Sequence, residues 1–370
     1  MKVQKKHIII ILLVIIFVVF LFQYNQIEKV DLYQDKGKDY VQAVVTNVIQ
    51  DNKTESGNIV GKQLVEVMIL SGRYTGEKLE ATSSSSYLYG THCEVGMKVI
   101  VTLSESDTSL YATVYSFDRT PIMIMIIVLF LIILWIIGRM QGLYSGIGIL
   151  FTFTCIVFVF LPMIYRGHSP ILAAVIVSFL STLVTMFLIG GISTKTLTSI
   201  IGTLLGVIIS GAFAYLFSSI SHISGLNVSD IEQLVYVQQM TSIDVGELMY
   251  AGILISSLGA VMDVAMSISS TIYEIYGHNP QLSMKALFES GMNVGKDMMG
   301  TMSNTLILAF AGGSINTLVF LYCYDYSFLQ MMNMYSIGIE IIQGISATLG
   351  VILTVPIVSL IVSYLLTKKA

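Results

Sequence analysis

Apolar runs of about twenty residues recur along this chain, and they limit what it can fold into more than any other feature. The clearest is 121–138, PIMIMIIVLFLIILWIIG, which contains no charged residue. A bilayer core about 30 Å thick is crossed by roughly 20 helical residues. Eight segments qualify: 7–24, 121–138, 142–165, 170–191, 198–220, 249–272, 302–322 and 342–366. Hydrocarbon supplies no hydrogen-bond partners, so each segment must satisfy its own backbone and is predicted to be a helix. Composition agrees, with 55% hydrophobic and only 11% charged residues, against about 25% charged in soluble domains. The expectation is a polytopic α-helical membrane protein with about eight transmembrane helices.

Lys2, Lys5 and Lys6 precede the first segment, as in a signal peptide. The apolar run nevertheless reaches spanning length, and no small-x-small cleavage site follows it. Residues 1–25 are therefore read as an uncleaved anchor. With the N-terminus inside and eight crossings, Arg139, Lys195, Lys285, Lys296, Lys368 and Lys369 all fall inside, as basic residues of short loops should. In short loops, Arg166 alone falls outside. Both termini are then cytoplasmic, residues 26–119 are extracytoplasmic, and 120–370 form a bundle of about seven helices.

Residues 26–119 read as β. Runs with partial alternation occupy 40–49, 63–70, 78–82, 98–103 and 110–117, and Gly57, Gly61, Gly72, Gly76 and Gly96 mark turns. Five short strands in so few residues predict a small barrel, OB-like. Ser83–Ser86 reads as a solvated loop. Cys93 has no local partner for a disulfide, no CxxC metal pattern exists, and Cys93 is read as a small core residue. The net charge of -4 comes with no basic cluster, so no nucleic-acid partner is expected, and neither a cofactor nor a metal site is indicated.

One carboxylate breaks the apolar pattern. In SLGAVMDVAMSI, Asp263 lies mid-segment. Insertion scales put an acid there at a cost of about 2.5–3.5 kcal/mol, so such residues face a bundle interior or water. Ser256, Ala260, Asp263, Ser267, Ser270 and Glu274 advance by three or four and share a helical face. Leu258, Val261, Met262 and Ile268 lie opposite. The polar stripe is expected to face inward. Asp263 is then either a buried acid that fixes one helix against another or a proton or cation site.

The next segment repeats the arrangement. Asn279-Pro280 signals a turn, an amphipathic helix follows, and Asn293, Asp297, Gly300 and Asn304 share a face. Farther on, Gly312-Gly313 allows close helix packing or a break, and broken helices line sites in transporters. Gly202-x-x-x-Gly206 reads as packing. In the last segment Glu340, Gln343, Ala347 and Gly350 share a face, and Pro356 should kink the helix. Glu340 is either an interfacial carboxylate or part of the pathway. Residues 226–245, with Ser229 and Asp230 as capping residues, suggest a surface or re-entrant helix.

The stretches AGILISSLGAVMDVAMSI, ESGMNVGKDMMGTMSNTLILAFAGGS and EIIQGISATLGVILTVP resemble the YibE/F family of bacterial multi-spanning membrane proteins. The resemblance carries onto Asp263, Gly291, Gly295, Asp297, Asn304, Glu340 and Pro356. It implies a multi-pass protein of the bacterial plasma membrane, with an anchor, a small outer β domain and a bundle. It implies little about activity.

Three functions compete. The first is a transporter or permease-like protein whose ion or substrate pathway runs past Asp263, Ser267, Asp297, Asn304, Gly312, Gly313 and Glu340. Its partners would be membrane lipids, a small solute or ion, and a second membrane protein of the same family. The second is a non-transporting envelope assembly or sensor protein acting through its β domain. The third, an intramembrane enzyme, has little behind it: the five histidines are scattered, with no HExxH pair, GxSxG elbow or P-loop.

Overall fold

The structure, a computed structural model, describes residues 15–30, 38–53, 59, 61–84, 90–106, 109–228 and 231–368. The chain divides into two compact units, 31–133 on one hand and 1–30 with 134–370 on the other.

In the first unit five strands close into a barrel: β1 (Lys38–Gln50), β2 (Lys62–Ile69), β3 (Lys78–Ser84), β4 (Lys98–Ser106) and β5 (Ser109–Phe117). The order is β1-β2-β3-β5-β4, with β3 and β5 parallel and the other pairs antiparallel. Alternation places Val41, Ala43 and Val45 of β1 and Val99, Val101 and Leu103 of β4 in the interior. Closure leaves no unpaired edge. Gln63 is buried and mimics a strand backbone, accepting from the Cys93 N–H at 2.8 Å and donating to its carbonyl at 3.0 Å. Cys93 is 1% exposed, as its core reading expects, and burial pushes its thiol pKa up. Ser83 corrects the loop reading of the serine run: it is buried, and its hydroxyl donates to the Thr91 carbonyl at 2.6 Å. Ser85 and Ser86 lie outside the described residues.

The helices are α1 (Ile15–Tyr24), α2 (Thr120–Cys155), α3 (Leu161–Tyr165), α4 (Pro170–Gly190), α5 (Thr194–Ser221), α6 (Ile231–Met240), α7 (Leu248–His278), α8 (Met284–Gly313), α9 (Ile315–Cys323), α10 (Phe328–Met332) and α11 (Tyr335–Lys368). Among the described residues five helical stretches are long and apolar enough to cross a membrane, and α8 with α9 makes a sixth if the bent pair is one span. Eight segments were expected. The difference arises in two places. Only the end of 7–24 lies in the described residues, as α1. The segments 121–138 and 142–165 fall within one 46-residue stretch, Thr120–Tyr165.

That stretch is not straight. Arg139 has φ 49° and ψ -131°, outside helical values. A Cβ on Gly142 would lie 2.0 Å from the carbonyl oxygen of Leu134. On a straight helix those two residues would be about 12 Å apart. The chain therefore folds back at Arg139, where a loop was expected, and glycine at 142 permits the approach.

A π-helical turn at Ile156–Phe160 follows α2. Pro162 has no N–H to give the Phe158 carbonyl, and the Asn25 side chain donates to that oxygen at 2.9 Å. Arg166 lies 4.3 Å from the centre of the Tyr24 ring and donates to the Tyr24 carbonyl at 2.8 Å. The Val30 N–H donates to the Tyr165 hydroxyl at 2.7 Å. The one basic residue at odds with the loop-charge pattern thus clamps the end of α1.

The bundle core is α11 packed against α5, α7 and α8. Small residues set its spacing. A Cβ on Gly202 would meet Val358 at 2.2 Å, one on Gly206 would meet Thr354 at 2.0 Å, and one on Gly350 would meet the Gly206 carbonyl at 2.9 Å. The packing reading of Gly202 and Gly206 holds. Pro356 lies within α11, which runs from Tyr335 to Lys368 without a break.

The orientation of α7 corrects an expectation. Leu258, Val261, Val264, Ala265 and Ile268 are buried, whereas of the polar stripe Ser256, Asp263 and Glu274 are exposed and Ala260, Ser267 and Ser270 are half-buried. The polar stripe faces out of the chain. The reason is steric: lipid is as apolar as leucine, so helices associate by close fit rather than by hiding apolar surface. Val261 and Ala265 fit the notches at Gly206 and Gly202; Asp263 would not.

Candidate functional site

Asp263 is the sixteenth of the 31 residues of α7. It opens onto a cleft of about 560 Å³ lined by Ser145 and Thr152 of α2, Thr185 of α4, and Ser256, Met262 and Asp263 of α7. Gly148 lets α2 approach α4: a Cβ there would lie 3.0 Å from Thr185. The Thr152 hydroxyl donates to the Gly148 carbonyl at 3.0 Å, and that of Ser256 to the Ile253 carbonyl at 3.1 Å. Both therefore keep lone pairs but no spare proton. The Thr185 hydroxyl is buried with no partner. Asp263 itself has no hydrogen bond or ion pair among the described residues. A carboxylate, neutral hydroxyls and no counter-charge make a site that can take a proton or a cation. Ser267, one turn on, is half-buried, and its carbonyl accepts from the Thr271 hydroxyl at 2.9 Å.

The second stripe is also turned outward. Ser283 caps α8, accepting from the Ala286 N–H at 3.2 Å, and the helix runs unbroken past Gly300. Gly291 and Gly295 are buried against α11, where added Cβ atoms would meet Ser359 and Val355. Asn293, Asp297, Gly300 and Asn304 are exposed. Asp297, Asn304, Gly312 and Gly313 do not line the Asp263 cleft. Of the residues along the expected pathway, Asp263 and Asn304 do not share this cleft: α8 uses its glycine face for packing, which turns the polar face away.

At Gly312-Gly313 the structure decides between packing and a break. Both glycines are exposed, and an added Cβ would meet nothing within 4 Å. Among the described residues nothing packs closely against them. The helix ends at Gly313, and α9 departs at 61°. Beside the break a cavity of about 300 Å³ is lined by Asn227, Ser314, Thr317, Ser336, Glu340 and Gln343. Glu340 is thus brought to the broken helix, half-buried, and not to Asp263.

Sequence reasoning selected neither Thr185 nor Asn227. Thr185 sits in an apolar segment with no polar periodicity, and Asn227 lies in a loop. Ser314 carried a usable signal: a hydroxyl directly after a glycine pair in a spanning segment.

Residues 126–368 match a family model described as YibE/F-like protein. No curated protein and no solved structure matches the chain. The match starts within α2 and ends at the last residue of α11. It therefore takes in both carboxylate cavities and leaves out the barrel. A match over most of the chain, coinciding with its helical part, settles the kinship: the chain belongs to the YibE/F family.

Proposed function

We propose that the protein is a plasma-membrane transporter or permease-like protein in which Asp263 binds a proton or a cation. The observation that carries this reading is an unpaired mid-helix carboxylate facing a cleft with hydroxyl groups on three helices. A carboxylate at that depth is costly in lipid unless water or a ligand meets it. All eight segments cross the membrane in this reading, with α2 crossing twice about Arg139. The N- and C-termini are cytoplasmic, and residues 26–119 lie outside. Asp297 serves an inner gate, and the barrel regulates the transporter. The cargo is a small solute or ion, and no bond-making chemistry is assigned. The experiment is uptake and proton flux in proteoliposomes. Asp263→Asn should lower flux about tenfold or more, the scale on which a lost charged partner acts. Equal flux in both proteins across a substrate panel would overturn the role of Asp263.

A specific observation favours one other reading, an envelope assembly or sensor protein. Tyr40, Tyr111 and Tyr115 are exposed on the outer barrel surface, with the Tyr40 and Tyr115 rings edge-to-face at 5.5 Å. Clustered exposed aromatics suit recognition of a partner. The outward stripe of α8 would then seat a second membrane protein of the same family. Deleting 26–119 should abolish function in this case, while Asp263→Asn should not.

A further inference from the structure

A role for Asp263 leaves one half-buried acid, Glu340, unexplained. Glu340 shares its cavity with Ser314, which is 9% exposed and whose hydroxyl has no partner. Burying a hydroxyl unpaired is unfavourable, and a ligand in the cavity would relieve it. The Asn227 side-chain oxygen is already taken, accepting from the Ser224 N–H at 2.8 Å and the Ser224 hydroxyl at 3.2 Å. The Glu340 carboxylate, the Ser314, Thr317 and Ser336 hydroxyls and the Gln343 side-chain oxygen remain as oxygens that could hold a ligand.

The sign of that ligand's charge follows from what surrounds it. The carbonyl end of α8 favours a cation and the amide end of α9 an anion, so the two helix ends oppose each other. Glu340 decides the balance. No basic residue lines the cavity. None occurs in the sequence between Lys296 and Lys368, or between His222 and His278. The elements forming the cavity therefore hold no side chain that could neutralise Glu340. A single carboxylate among neutral oxygens balances one positive charge, whereas divalent sites gather more oxygen ligands and usually more carboxylates. A volume of about 300 Å³ is about ten water volumes. It admits a partly hydrated ion or a small ammonium group.

We infer that the α8/α9 break is a binding site for a small monovalent cation, held by Glu340, Ser314, Thr317 and Gln343. The site goes beyond the proposed function, since it stands whether or not Asp263 couples transport. Glu340 and Ser314 also border a second hollow, lined by Ile307, Phe310 and Leu318, so the polar donors sit at the edge of an apolar surface.

The test is equilibrium binding of radiolabelled sodium and of radiolabelled methylammonium to the purified full chain in nanodiscs. Choline chloride holds the ionic strength constant. The expected result is saturable binding of at least one probe, about one per chain. Glu340→Gln should weaken it about tenfold or more. Ser314→Ala and Thr317→Val should weaken it less, and Asn293→Ala, on the outward face of α8 and outside the cavity, should leave it intact. Size-exclusion profiles identify any variant that fails to fold, and the two hydroxyl variants then carry the test. Two results would overturn the site: no saturable binding of either probe to the wild type, or binding unchanged in all three cavity variants. Binding lost in Asp263→Asn but kept in Glu340→Gln would move the cation to the α7 cleft, overturning this site and leaving the transport reading in place.

Discussion

The Phe158 carbonyl is released by Pro162, four residues on, and Asn25 supplies the missing donor at 2.9 Å. Asn25→Ala should cost about 1 kcal/mol of stability. Arg166→Ala should loosen the end of α1 further by removing both its contacts to Tyr24. Protease sensitivity of residues 15–30 in nanodiscs reads both effects, and unchanged cleavage would contradict the clamp. Glu66 offers a pH test in the barrel. Its pKa is lowered, first by the Thr46 hydroxyl at 2.6 Å and then by Lys78 at 2.9 Å. A lowered folded-state pKa contributes stability that is present above the ordinary glutamate value and lost as pH falls through the folded one. The protection of β2 and β3 against hydrogen exchange, taken relative to the unfolded chain at the same pH, should therefore fall on acidification below about pH 4.5, and Thr46→Val should reduce that dependence. At this scale Asp263, Glu340 and the glycine pair were legible, because an acid or a Gly-Gly in an apolar run stands out. Thr185 and Asn227 were not, since a hydroxyl or an amide has many ordinary places in a membrane protein or its loops.

The strands and most spans could be read from periodicity and length; the facing of the helices could not. Alternation fixed the barrel because one face of each strand meets a dry interior. The stripe on α7 predicted an inward polar face, and packing by Gly202 and Gly206 put the apolar face inward instead. Glycine variants test this dominance of fit. Gly295→Ala places a Cβ 2.1 Å from Val355 and should destabilise by about 1–3 kcal/mol through overpacking. Gly300→Ala meets nothing within 4 Å and should be neutral or stabilise by up to about 1 kcal/mol. Thermal unfolding in one detergent compares them, and equal shifts would contradict the assigned faces. The break between α8 and α9 escaped a firm reading because a glycine pair serves contact and interruption equally well.

For the whole molecule, the reversal at Arg139 decides how many times the chain crosses the bilayer. Alkaline phosphatase, active only outside the cytoplasm, should be active when fused after residue 119, inactive after 140 and active after 167. Activity at 119 together with inactivity at 167 would mean that Thr120–Tyr165 crosses once. Loop charges predict this topology, which the fusions test, whereas the separation of two carboxylates into two cavities depends on packing that no loop charge reports. The most direct test of the central claim asks whether Asp263 meets water or lipid. In a chain whose own cysteines are replaced, Ser256→Cys and Gly259→Cys place thiols on the exposed face of α7 beside Asp263. A charged thiol reagent should modify both in native membranes, and Val264→Cys, buried and outside the cleft lining, should stay unmodified. Resistance of Ser256→Cys and Gly259→Cys, alongside modification of a cysteine placed in the barrel, would show lipid at the cleft and contradict the account.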